Sequence, residues 1–301
     1  MDQKSIEQRA LVVGIVVNII TMVGGFVVFF ITGLKAMFLD AAFTAIAVAS
    51  GGVAAILSKT TARTTQRYPN GKFALEPMYA IGKSIFTISL LAFSFIEVLR
   101  EAIDYFFLGV RHKLEFGPVV IYQIAAVALC LWLVWYYRHE NKRIGNVSTM
   151  LKAEANGTWV DGIISMGIGI VAVIVFLIPE HSPLDFLHYT GDFFITTAIV
   201  ILTTKEPWSV LREAFVELVG GVHENDDLME YVEDRIARLV PADLKLDRVQ
   251  LFKTGMNFDV QVFLHGTGQS IDVDELVGAR QRMEGALQEK LHLVNVDFVF
   301  E

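Results

Sequence analysis

The sequence predicts an α-helical membrane protein with six transmembrane helices, followed by a small C-terminal α+β domain. Three observations carry that prediction. Hydrophobic residues make up 53% of the 301 positions and charged ones only 19%, against roughly 25% charged in soluble domains. Six apolar runs reach or approach the roughly 20 residues that cross a bilayer, at residues 10–34, 36–58, 78–99, 117–137, 155–178 and 187–204. Beyond residue 208 the continuous runs give way to helical and alternating apolar patterns, as in a domain with its own water-exposed face.

The first run, Ala10 to Leu34, is too long for a signal-peptide core and lacks a small-residue cleavage pattern, so it reads as a span. The second carries a lone carboxylate, Asp40. The third follows YPNGKFALEP and closes on Glu97; the fourth holds Cys130, the chain's one cysteine, which excludes an intrachain disulfide framework and reads as a small buried hydrophobe. The fifth carries Asp161, and the sixth is the shortest. Lys59, Arg63, Arg67 and Lys72 lie after the second run, Arg138, Lys142, Arg143 and Lys152 after the fourth, and Lys4 and Arg9 before the first, whereas 179–192 holds neither Lys nor Arg. By the positive-inside rule both termini are cytoplasmic, in a multi-pass protein of an inner or plasma membrane. Taken literally, the apolar runs put Asp40 about 6 Å inside one end of the second span and Asp161 about 9 Å inside the opposite end of the fifth. In a core about 30 Å thick they would not meet. Either the helices run past their apolar stretches or the two carboxylates serve different steps.

The domain boundaries are expected at 1–208 for the membrane part, 209–222 for a linker helix (LREAFVELVGGV, with its Gly-Gly stop) and 223–301 for the C-terminal domain. In the last of these, Leu228, Tyr231, Val232, Ile236 and Leu239 recur at helical spacing, RVQLFKT turns through Thr254–Asn257 into the alternating Phe258, Val260, Val262 and Leu264, a second helix carries Leu276, Ala279, Met283, Ala286, Leu287 and Leu291, and VNVDFVF alternates again. The order is α-β-β-α-β. From residue 220 onward there are 16 acidic and 8 basic residues, leaving 17 of each before it. All the net negative charge therefore lies in this domain, which argues against a nucleic-acid partner and suits a cation-handling protein.

An ionisable group inside a span costs at least about 2.5 kcal/mol and is a functional-site hypothesis by default. Asp40 and Thr44 are four apart and share a helix face. Glu154, Thr158 and Asp161 form a polar stripe on the fifth span, beside Asn156 and Gly157, and Ser165 extends it. Two such stripes, facing each other, could cage a divalent cation in oxygen ligands. Asn18 and Gln123 read as interhelical glue. Glu76 and Lys83, seven apart near the start of the third span, share a face with opposite charges. His112, His139, His181 and His188 fall in loops or at span edges, so a Cys/His zinc site inside the membrane is unsupported. No nucleophile with a histidine base and no HExxH motif suggests an enzyme.

These features together resemble the cation diffusion facilitator (cation efflux) family. YPNGKFALEPMYAIGKS (68–84) is similar to a divergent branch with an F-E-P-type start of helix three followed by a Lys; KAEANGTWVDGIIS (152–165) and YTGD (189–192) are similar to its starts of helices five and six. The resemblance implies six membrane helices and a cytoplasmic ferredoxin-like domain. It also implies a homodimer held through the membrane and cytoplasmic domains, and a secondary transporter that exports divalent metal cations by proton antiport. The family's paired ligands map onto Asp40 with Thr44 and Gly157 with Asp161, so Thr44 is a weak ligand and Gly157 none, and Asn156, Thr158, Glu154 or water is left to complete the shell. Its cytoplasmic histidine positions fall on Val262, Glu275 and Val299, leaving Glu275, Asp297, Glu301 and His265 as candidate ligands there. Oxygen-rich ligation leans toward manganese, iron(II), cobalt or magnesium, although zinc also accepts carboxylates. The reduced ligand set leaves a second possibility, a non-transporting relative acting as a dimerisation or scaffold partner.

Overall fold

The computed structural model describes residues 3–61, 64–69, 71–110, 113–143, 145, 149–179, 182–223, 226–241, 243–266, 272–291 and 293–300. Arg63 and Glu301 lie outside them. The chain forms two compact units, one of residues 1–54 and 86–207, the other of residues 55–85 and 208–301.

The first unit is helical, built from α1 (Gln3–Thr32), α2 (Lys35–Thr61), α3 (Leu75–Leu108), α4 (Gly117–Arg143), α5 (Thr149–Leu177) and α6 (Leu187–Thr203), with parts of α2 and α3 belonging to the second unit. Among the described residues, four of these helices, α1, α3, α4 and α5, are long and apolar enough to cross a membrane. Helix α6 has 17 residues, about 25 Å at 1.5 Å per residue. Several helices overrun the apolar stretches that signalled them. Helix α3 continues to Leu108 and α4 to Arg143, past turns in which Glu97 meets Arg100 at 3.7 Å and Glu140 meets Arg143 at 2.9 Å. Helix α5 begins six residues before its apolar run, at Thr149. An apolar run marks where lipid is contacted; hydrogen bonding and such i,i+3 pairs carry the helix further.

Gly33, at φ +73°, ends α1 by giving its N–H to Phe29 O at 2.7 Å, a left-handed stop that glycine adopts without strain. Only two residues then separate α1 from α2. The bundle interior joins Leu34, Met37 and Leu39 to Leu91 of α3, Val119 of α4, Ile168 and Ala172 of α5, and Ile195 and Ile199 of α6. Outside it the helices remain apolar: Phe30 and Phe107 are four-fifths exposed, and Ile121, Ile201 and Leu202 more than two-thirds. Surface of that kind is stable against lipid and not against water. At Gly25, α1 comes so near α2 that a Cβ would lie 2.9 Å from Ala41 Cβ.

The second unit contains most of α7 (Lys205–Leu218), then α8 (Asp226–Ala237), β1 (Leu244–Thr254), β2 (Asn257–Gly266), α9 (Val273–Gln288) and β3 (Val294–Phe300). The sheet order is β1-β2-β3. Strands β1 and β2 form an antiparallel hairpin turning at Gly255, φ +59°, while β3 joins β2 in parallel after the α9 crossover. Val232 and Ile236 of α8, Leu251, Val260, Val262 and Leu264 of the hairpin, Met283 and Leu287 of α9, and Val296 of β3 are fully buried together. Strand β1 starts four residues earlier than its alternation suggests, because a bulge between Leu246 and Arg248 shifts the period there. Of the candidate ligands in this domain, Glu275, Asp297 and His265 are all exposed; Asp297 faces Arg280 at 3.8 Å and His265 faces Asp247 at 3.9 Å.

His223 lies between α7 and α8, its N–H bonded to Leu251 O at 2.8 Å and its ring edge-on to Phe258. Burial, and then the charge of Lys253, hold its imidazole below the usual 6.5, opposed by Glu217 and Glu213. A folded state that binds this proton less readily than the unfolded chain is more stable above pH 6.5 and loses that advantage as pH falls below it. The detergent-solubilised protein is therefore expected to melt at a lower temperature at pH 5.5 than at pH 7.5, and His223→Gln to flatten part of that difference.

Candidate functional site

Asp40 sits in the second turn of α2, half-buried between the buried Leu39 and Ala41. Thr44 does not point its hydroxyl proton at that carboxylate; it gives it to the backbone oxygen of Asp40 at 3.1 Å, a common way for a threonine to satisfy itself in a helix. Asp161 lies 12 residues into α5, about 18 Å from the helix start, because the helix runs past its apolar stretch. The charge of Asp161 bears directly on Asp40. Two carboxylates on different helices are thus within electrostatic range of each other.

The stripe on α5 is arranged unevenly. Thr158 and Ser165 are buried, 7% and 4% exposed, while Glu154, Asn156, Gly157 and Asp161 are exposed. The negative charges of Glu154 and of Glu206, at the start of α7, both reach Asp161. On α4, Cys130 lies within electrostatic range of both aspartates and Tyr122 within range of Asp40. Tyr122 gives its hydroxyl proton to Thr21 O on α1 at 2.7 Å, and Cys130 Cβ would lie 3.2 Å from a Cβ at Gly162. The cysteine that reads as an anonymous small hydrophobe therefore packs beside the acidic pair. Asn18 is half-buried on α1, where its backbone oxygen accepts from Thr21 at 3.0 Å. Glu76 and Lys83 belong to the second unit. There Glu76 accepts a hydrogen bond from Thr61 at 2.7 Å, and Lys83 is exposed. Among the described residues, no three His, Cys, Asp or Glu side chains cluster closely enough to hold a metal ion.

A third aspartate, unassigned by sequence reasoning, organises the start of α2. Asp192 of α6 is 1% exposed. Its Oδ2 accepts from Lys35 N at 2.5 Å, its Oδ1 from Ala36 N at 3.0 Å and from Thr196 Oγ1 at 3.1 Å. The residue before α2 is Leu34, which has no side-chain oxygen with which to cap the helix. The first N–H groups of α2 are thus satisfied from α6, and a carboxylate at a helix N-terminus is favoured by the helix dipole as well. The signal was present in the sequence as an apolar residue at a helix start and an aspartate in YTGD; the pairing spans more than 150 positions and was not.

No curated protein matches the sequence. The family model for the cation efflux transmembrane domain, whose members are transporters rather than enzymes, matches residues 11–219. With the match covering more than half of a chain that has four membrane-length apolar helices, this multi-pass integral membrane protein belongs to the cation efflux family of metal-cation transporters.

Proposed function

We propose that the chain exports divalent metal cations in exchange for protons, with Asp40 and Asp161 as the shared cation and proton site. The observation that supports this reading is that the charge of Asp161 on α5 bears on Asp40, half-buried on α2. Each alone would be an expensive anomaly in an apolar helix. Together they offer a dication two negative charges, and a dication and protons compete for the same oxygens. Loading from one side and protonation from the other then move the ion. Glu154 and Glu206 add negative potential around Asp161, which concentrates cations there. Asn156, Thr158, Thr44 or water completes the shell.

In this reading α2 and α6 cross the membrane beside α1, α3, α4 and α5. Both termini are cytoplasmic, the acidic C-terminal domain has the ferredoxin-like order, and two copies assemble through it and through the membrane helices. The domains divide at 208 and 222. Manganese, iron(II), cobalt, magnesium and zinc are the cations to test. In proteoliposomes, wild-type protein is expected to move at least one of these ions with opposite proton flux, and Asp40→Asn to lose that flux. Full transport by Asp40→Asn would end the proposal. Silence of the wild type across all five ions, with stable hetero-oligomers, would favour the scaffold role, which the absence of a third close acidic, cysteine or histidine ligand among the described residues also suits.

A further inference from the structure

Toward its C-terminal end α4 is divided lengthwise. Leu133, Val134, Tyr137, Glu140 and Asn141 are buried, whereas Leu131, Trp132, Trp135, Arg138, His139 and Lys142 are exposed. The alternation follows the helical period, with one face turned into the bundle and the other away from it. Ile121 and Ile124 extend the exposed face toward the helix start. From Ile121 to Trp132 is about 16 Å along the axis, half of a hydrocarbon core about 30 Å thick and so the depth of one leaflet. Two stacked pairs come next: Trp132 on Tyr136, with ring centroids 5.4 Å apart and planes at 7°, and Trp135 on His139, at 5.3 Å and 18°. Each pair is four residues apart, the spacing that brings side chains together along a helix. Tryptophan and tyrosine rings settle where acyl chains give way to headgroups. Arg138 and Lys142 stand about 5 and 11 Å beyond Trp135. Arg143 is held by Glu140 at 2.9 Å, while Arg138 and Lys142 have no ion-pair partner among the described residues.

We propose that this face of α4 binds an anionic phospholipid, with its acyl chains along Ile121, Ile124 and Leu131, its glycerol beside the stacked rings and its phosphate on Arg138 and Lys142. The order of apolar stripe, aromatic belt and unpaired cations is the order of a phospholipid from tail to head. The rings carry N–H and O–H donors suited to the ester oxygens. A guanidinium grips a phosphate through two parallel N–H groups and a lysine adds a point charge. A zwitterionic lipid brings a cation of its own, which Arg138 and Lys142 repel. A free phosphate leaves the apolar stripe and the rings unused. The proposal needs only that α4 crosses the membrane and is independent of the acidic pair.

The test places the full chain in vesicles of equal parts phosphatidylcholine and phosphatidylglycerol, with bromine on the acyl chains of one lipid or the other to quench nearby tryptophan. The part of the quenching lost in Trp135→Phe reports this face. Phosphatidylglycerol is expected to be preferred there by about 25-fold, about fivefold for each cation. Arg138→Gln and Lys142→Gln should each lower the preference about fivefold, the double variant should abolish it, and Arg138→Lys should keep most of it. Both side chains are exposed, so these variants keep the fold. Equal quenching by the two lipids, or a preference that survives the double variant, overturns the proposal. Loss of the preference on adding soluble glycerol phosphate would make this a free-phosphate site instead. Quenching by neither lipid would mean that protein, such as a second copy of the chain, covers the face.

Discussion

Asp192→Ala is expected to destabilise the protein by about 3 kcal/mol or more, the cost of removing a buried, hydrogen-bonded charge and leaving its donors unpaired. Both carboxylate oxygens are engaged, each with one backbone N–H of α2, and Oδ1 also with Thr196. No other side chain replaces them at Leu34, and water does not reach a residue 1% exposed. Asp192→Asn recovers only part of the loss, because the amide offers one acceptor and turns a donor toward the other N–H. Thr196→Val, which removes a single hydroxyl, is expected to cost about 1 kcal/mol. Thermal melting in detergent, followed by tryptophan fluorescence, should rank the three as Ala, Asn, Val from least to most stable. An alanine variant melting with wild type would mean that α2 holds its place without the cap.

The largest effect on transport is expected at the acidic pair. Asp40→Asn and Asp161→Asn should each lower flux by at least about 100-fold, the upper end of what the loss of even an outer partner does to a metal site. The double variant should be little worse than either single one, because residues that act as a unit fail together. Multiplied losses would place the two carboxylates in separate steps. Flux measured against a pH gradient adds the second arm: acidifying the receiving compartment should speed the wild type and leave both single variants unmoved.

Asp40 and Asp161 stood out in the sequence because a carboxylate in an apolar run is conspicuous wherever it occurs. Their electrostatic coupling was hidden, since hydropathy reports where lipid is contacted and not which helices adjoin. Glu206 and Cys130 join the site through α7 and α4, and nothing in their own neighbourhoods marks them. Gln123 reads as interhelical glue, and its side-chain oxygen has no donor among the described residues. In the C-terminal domain the periodicity of α8, β2 and α9 led directly to the buried set around Val232, Val260 and Met283. Only the bulged start of β1 escaped, because one extra residue reverses which side chains face inward.

The two-residue link at Gly33 and Leu34 has a mechanical meaning. So short a tether spans at most about 7 Å, and α2 is fastened at the same point to α6 by Asp192, with Lys35 reaching Glu101 of α3 at 4.0 Å. The end of α1 and the start of α2 are thereby tied to turns inside α6 and α3. A bundle tied at that end changes shape by splaying its opposite end, and Asp40, about 8 Å along α2 from the tie, lies close to the pivot.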